Sequence, residues 1–228
     1  MIKAKWLYSE LPIPIGLLAK KMKENQYSEN LGNGYLLSAS TSTKLVGKYI
    51  ERIIQKTVIE DPFGGTAEVE SISYYTCHFN WHSDSNYLVI LDPPRSLRKF
   101  INKLHEITGL GLVISELNIS LEKWLTLIEE SATDVKLLQI SSYGIRTSQN
   151  STAKVSVTGT KDVKEAFSSL VRDKRYLVDS IKFEACFDSL IVSGEITKTG
   201  VCRLKTSNST FTLDILRESL EKSYCDHG

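Results

Sequence analysis

The chain has 228 residues, 41% of them hydrophobic and 24% charged, with 28 Lys and Arg against 27 Asp and Glu. That is the composition of an ordinary globular protein, long enough to bury a core in one large domain or two small ones, and no run approaches the roughly 20 apolar residues of a spanning helix. A net charge of +1 argues neither for nor against nucleic acid, because local patches decide phosphate contact.

"IKAKWLY" (2–8) reads as an opening strand. The apolar stretch around it is cut by Ser9, Glu10, Pro12 and Pro14, so no signal peptide is expected. "GLLAKKMKEN" (16–25) predicts a helix with Leu17, Leu18 and Met22 on one side, and "GYLLSAS" a short strand. The β-branched content of 45–56 fits helix or strand. Val58 and Ile59 lead into "DPFGG" (61–65), a turn signal, and "TAEVESISYYTCHFNW" (66–81) predicts a long strand. "HSDSN" turns it back into the buried strand "YLVIL" (87–91).

After Pro94 the apolar period changes to that of a helix, with Leu97, Phe100, Ile101, Leu104 and Ile107 on one face. Asp92 is placed as its N-cap and Pro93 at its first position. "LVISEL" predicts a strand and 120–131 a helix capped by Ser120. Short strands follow around the polar "TSQNST" (147–152), which is read as the join between an N-terminal subdomain, 1–146, and a C-terminal one, 147–228. A strand at 153–158, a helix at 161–173, strands near 176–187, 189–196 and 200–206, and a helix at 212–224 complete the chain, with "CDHG" (225–228) a frayed tail. The expected class is α+β with mostly antiparallel sheet.

Three chemistries are suggested and set aside. "LVILDPPR" looks like the (D/N)PP loop of methyltransferases, but those need a parallel doubly wound sheet with a glycine-rich turn leading into a helix. Here "GNGY" leads into a strand-like segment. In "CHFNWH", strand alternation sends Cys77 and His78 to opposite faces, so only His78 and His82 are left to share a metal, and no metal is expected. Cys77, Cys186, Cys202 and Cys225 are too widely spaced for a small disulfide scaffold, so free thiols in a reducing cytoplasm are expected. No catalytic residue and no cofactor is predicted.

The basic features remain. Arg95, Arg98, Lys99, Asn102 and Lys103 occupy one arc of the helix after Pro94, with Ser96 beside it as a candidate phosphate contact. Cations at a helix start oppose its dipole by about 0.3–1 kcal/mol each. Two readings stand side by side: a phosphate bound by the arc and the free backbone N–H groups, or a solvated face with snorkelling side chains. Arg172, Lys174 and Arg175 lie at a helix end, where cations suit the dipole. Lys198, Arg203 and Lys205 lie near a hairpin, with Arg203 and Lys205 on one strand face.

The opening "IKAKWLYSELPIPIGLLAKKMKENQYSE", the middle "YLVILDPPRSLRKFINKLHEITGLGLVISELNISLEKWL" and the late "RDKRYLVDSIKFEACFDSLIVSGEITKTGVCRLK" resemble, in element order, the recombination-associated RdgC family. The resemblance implies a homodimer that grips DNA through its phosphate backbone without sequence preference. This chain lacks the long charged insertion and C-terminal extension of fuller members, which puts a closed ring in doubt, and no family contact residue transfers to a position here. The expectation is a cytoplasmic, non-catalytic DNA-binding protein acting in recombination control or defence against phage and mobile elements. The alternative is a module that binds a protein partner through sheet edges or the aromatic strand Tyr74, Tyr75, Phe79 and Trp81. No membrane contact is expected.

Overall fold

A computed structural model describes residues 1–60, 62–148 and 151–225. In chain order the elements are β1 (Ile2–Glu10), α1 (Ile15–Glu24), β2 (Asn33–Ser40), β3 (Lys44–Glu60), β4 (Thr66–His82), β5 (Tyr87–Leu91), α2 (Arg98–Thr108), β6 (Val113–Glu116), α3 (Leu121–Ser131), β7 (Asp134–Ser148), β8 (Ser151–Thr158), α4 (Lys164–Val171), β9 (Leu177–Phe187), β10 (Leu190–Thr197), β11 (Val201–Lys205) and α5 (Ser209–Cys225). The mixed α+β class is as expected. No helix among the described residues is long and apolar enough to cross a membrane.

Contacts divide the chain into two compact units, Leu7–Ser115 and Met1–Trp6 with Glu116–Gly228. The expected join at 147–152 falls elsewhere, within the β7–β8 hairpin, whose strands pair from Gln139 opposite Thr158 to Ser148 opposite Ser151. A hairpin closed by such pairing cannot be divided without breaking its ladder. Gln149 and Asn150 of that segment, Asp61 of the expected turn and residues 226–228 of the expected tail lie outside the described residues.

In the first unit the strand order is β2-β3-β4-β5-β1, and β2/β3, β3/β4 and β4/β5 pair antiparallel. Ile15, Leu18, Ala19 and Met22 of α1 and Phe100, Leu104 and Ile107 of α2 close over Tyr35, Leu45, Tyr49, Cys77, Phe79, Trp81, Leu88 and Ile90. Leu17, expected inward, is exposed, and Ala19 takes the inward position. Phe79 stacks on Phe100 with ring centroids 5.4 Å apart. Residues 45–56, open between helix and strand, are strand. Because β5 runs antiparallel to β4, the Asp-Pro-Pro corner after it is not the turn of a parallel doubly wound sheet.

That corner also corrects the predicted helix start. Asp92 has φ +43° and is not an N-cap, and neither proline is helical. Pro94 disfavours the helical region for Pro93 before it, and Asp92 takes a left-handed φ instead of a capping one, so the helix starts only at Arg98. Ser96 Oγ then accepts from Arg98 N (3.3 Å), while Tyr75 Oη donates to Ser96 O (2.9 Å).

In the second unit the order is β1-β11-β10-β9-β7-β8, every pairing antiparallel. Trp124 anchors its core. The indole meets Trp6 edge-on at 5.8 Å and its Nε1 donates to Ser219 Oγ (3.0 Å). Ser120 caps α3 as expected, accepting from Lys123 N. The helix expected over 161–173 is shorter, because Asp162 holds its start, accepting from Lys164 N (2.8 Å) and from Leu137 N of β7 (3.1 Å).

Candidate nucleic-acid interface

The expected basic arc is only partly free. Lys99 pairs with Glu51 on β3 and lies 5.9 Å from the centroid of the Tyr75 ring, and Lys103 pairs with Glu106 at 2.8 Å. These carboxylates relieve much of the conflict with the helix dipole that suggested a bound phosphate. Arg95, Ser96 and Arg98 remain exposed, and neither arginine has an ion pair within 4.0 Å among the described residues.

Arg172, Lys174 and Arg175 are exposed in the turn after α4, where Asp173 takes φ +59° and Lys174 N donates to Val171 O (3.0 Å). They stand at the start of β9. Lys198 reaches the same end: its backbone N donates to Asp179 O (3.1 Å) and its ammonium to Tyr143 Oη (2.6 Å), 4.0 Å from the Tyr143 ring centroid. Held this way, Lys198 is an internal fastener more than an open contact, and its pKa is raised, first by the Tyr143 hydrogen bond.

Alternation along the second unit's strands collects the other cations. Val178, Ile181, Phe183, Ala185, Val192, Ile196, Cys202 and Leu204 are buried on one face. Residues between them point the other way and are exposed or half-buried, apart from the buried Ser141. Register then lays Lys3, Arg203, Glu195, Lys182, Gln139 and Thr158 side by side across six strands. A second row runs Thr197, Ser180, Ser141 and Ser156, four hydroxyls on four adjacent strands, with Ser141 Oγ 2.8 Å from Ser156 Oγ. A third runs Lys205, Ser193, Glu184 and Lys136. Arg203 pairs with Glu195 at 2.7 Å, whereas Lys3, Lys136, Lys182 and Lys205 have no ion pair within 4.0 Å among the described residues. The shared face of Arg203 and Lys205 was legible from alternation. Lys3, Lys136 and Lys182 were missed, because only the register shows that they lie beside it.

Elsewhere the structure offers little chemistry. Burial pushes the Cys77 and Cys202 thiols up to about 12, so neither is a nucleophile near neutrality. Cys77 is buried and His78 exposed, on opposite faces as expected, and no group of three metal-ligating side chains forms among the described residues. A cleft of about 470 Å³ at the start of α1 is lined by Ser9, Ser42, Ser83, Ser85, Asn86 and His82 among others. Phe79 and Trp81 of the aromatic strand are core and offer no surface; Tyr74 is exposed. No protein-family model matches this chain, and no curated protein matches its sequence.

Proposed function

We propose that the chain is a non-catalytic protein that binds DNA without sequence preference, along the phosphate backbone, on the open sheet face of the second unit. The observation that carries this reading is the register that places Lys182 and Lys205, both exposed, and Lys3 and Lys136, both half-buried, on one face beside the hydroxyls of Thr197, Ser180 and Ser156. Ammonium groups displace counterions from phosphate, hydroxyls donate to phosphate oxygens, and neither reads base identity. The face has no exposed aromatic in these rows for bases to stack on, which favours duplex over single-stranded nucleic acid. Arg172, Lys174 and Arg175 extend the same end of β9, and Arg95 and Arg98 belong to the other unit as a separate auxiliary contact. The resemblance to RdgC proteins supports the same reading, with a homodimer in the cytoplasm and recombination control or mobile-element defence as its setting.

The variant K182E/K205E tests it. Both side chains are exposed on strands whose buried neighbours are untouched, so the fold, followed by circular dichroism, is expected to persist. Affinity for a random-sequence duplex is expected to fall by about tenfold or more at moderate salt. Unchanged affinity in a folded variant removes the face from the account.

A further inference from the structure

The β3–β4 ribbon outruns its own sheet. The two strands stay in one unbroken register from Lys44 opposite His82 to Glu60 opposite Thr66. β2 accompanies β3 only as far as Glu51, and β5 accompanies β4 only from His78 onward. Nine residue pairs, Arg52–Tyr74 to Glu60–Thr66, therefore project about 30 Å with no strand beside them among the described residues.

An isolated two-stranded ribbon is marginal in water, and its unpaired edges are templates for another strand. Proteins blunt such edges with proline, bulges or lysines. Here neither flank carries a proline or a register shift, and Lys56 is its one lysine. Large apolar side chains stand exposed along it instead: Ile54, Val58, Val69, Ile72 and Tyr74 are between 45% and 67% accessible.

Which occupant fits is decided by area and charge. One face of the projecting ribbon offers only about 300 Å², from its length and a width of two strands, against the roughly 800 Å² per partner of a stable interface. Face-to-face packing of two ribbons therefore falls short, whereas strand addition brings backbone hydrogen bonds as well as area. DNA is disfavoured, because Glu60, Glu68 and Glu70 outnumber Arg52 and Lys56. The acids concentrate on β4. Glu68 and Glu70 project to one side of it, and Ala67, Val69, Ser71 and Ser73, all uncharged, to the other. Lys56 reaches Glu68 at 3.3 Å across well-exposed side chains, a contact of little energy, and Glu70 has no ion pair within 4.0 Å among the described residues.

We infer that the free edge of β4, residues 66–74, takes an extended segment of a partner protein as an added strand, one whose alternate residues are basic and apolar. The basic side chains stand beside Glu68 and Glu70, and the apolar ones beside Ala67 and Val69 on the opposite face.

The test uses the full chain and two labelled nine-residue peptides, matched to the nine free pairs. One alternates Lys and Val, the other Glu and Val. The Lys–Val peptide is expected to bind saturably by fluorescence anisotropy and to slow amide hydrogen exchange across 66–74. E68K/E70K is expected to weaken it about tenfold and to admit the Glu–Val peptide. A second variant, joining Ile53 to Ser73 through Asn-Gly, removes the ribbon and must abolish binding while native circular dichroism is kept. Absence of saturable binding, equal binding of both peptides, or exchange at 66–74 unchanged on binding overturns the inference.

Discussion

At Gly34 a methyl group has nowhere to go. The φ is +147°, and a Cβ there would stand 2.5 Å from Tyr27 N and 2.6 Å from Gln26 C, both backbone atoms that cannot step aside. The missing side chain lets residues 25–27 lie against β2, where Tyr35 N donates to Asn25 O (3.0 Å) and Tyr27 N to Tyr35 O (3.1 Å). Gly34→Ala is expected to cost about 2–4 kcal/mol in urea unfolding. "GNGY" was read in the sequence as unsuited to a nucleotide, because a strand follows it. That the second glycine serves a close backbone approach was not legible, since the approaching segment is itself irregular. The thiols carry a second prediction. Cys77 and Cys202 ionise near 9 when unfolded and near 12 when folded, because burial disfavours the thiolate. Above pH 9 the unfolded chain binds fewer protons than the folded one, so stability falls with rising pH. The contribution of each thiol is fully present below about pH 9. It is lost across the interval up to about 12, at about 1.4 kcal/mol per pH unit. Chemical denaturation at pH 8 and pH 10.5 measures the loss, and C77A/C202A is expected to flatten that slope.

Elements divide by what covers them. Helix α2 is held by Phe100 and Leu104, both wholly buried, and Phe100→Ala is expected to cost about 3–5 kcal/mol. The distal ribbon makes no comparable packing, and shortening it from Ile53 to Ser73 is expected to change stability by less than about 1 kcal/mol. Paired urea titrations of the two variants check both values; a large loss from the shortened ribbon would mean that it supports the fold. The inward face of α2 was legible because Phe100, Leu104 and Ile107 recur at helical spacing. Its start was not, because Asp and Pro before a helix are usual capping residues, and what displaced them is a left-handed φ at Asp92 that no local pattern announces. The strand character of 66–81 was likewise legible, but not that its first half stands outside the sheet. Exposure there depends on where β2 and β5 end, which is a property of other segments.

Over the whole molecule, the near-zero net charge conceals separation. The ribbon is acidic, while the open face of the second unit carries Lys3, Lys136, Lys182 and Lys205 without ion pairs among the described residues. The α+β class and antiparallel pairing followed from strand runs joined by short turns. The division between units did not, because β1 serves both: Ile2–Lys5 pair with β11 while Leu7 packs in the other unit's core, a split that no change of composition marks. The expected DNA-contact residues are correspondingly scattered: Lys99, Lys103, Lys198 and Arg203 are engaged by neighbouring side chains, and the expected Lys205 is joined on the open face by Lys3, Lys136 and Lys182, which lie far away in sequence. The most direct test of the central claim is the salt dependence of duplex binding by the intact protein and by K136E/K182E/K205E. Four lysines on phosphates predict that log K falls against log salt with a slope of at least about −3 to −4, steeper where Arg172, Lys174 and Arg175 also engage, and that the variant's slope is shallower by about 2–3. A slope near zero, or the same slope in the folded variant, would contradict DNA binding on this face.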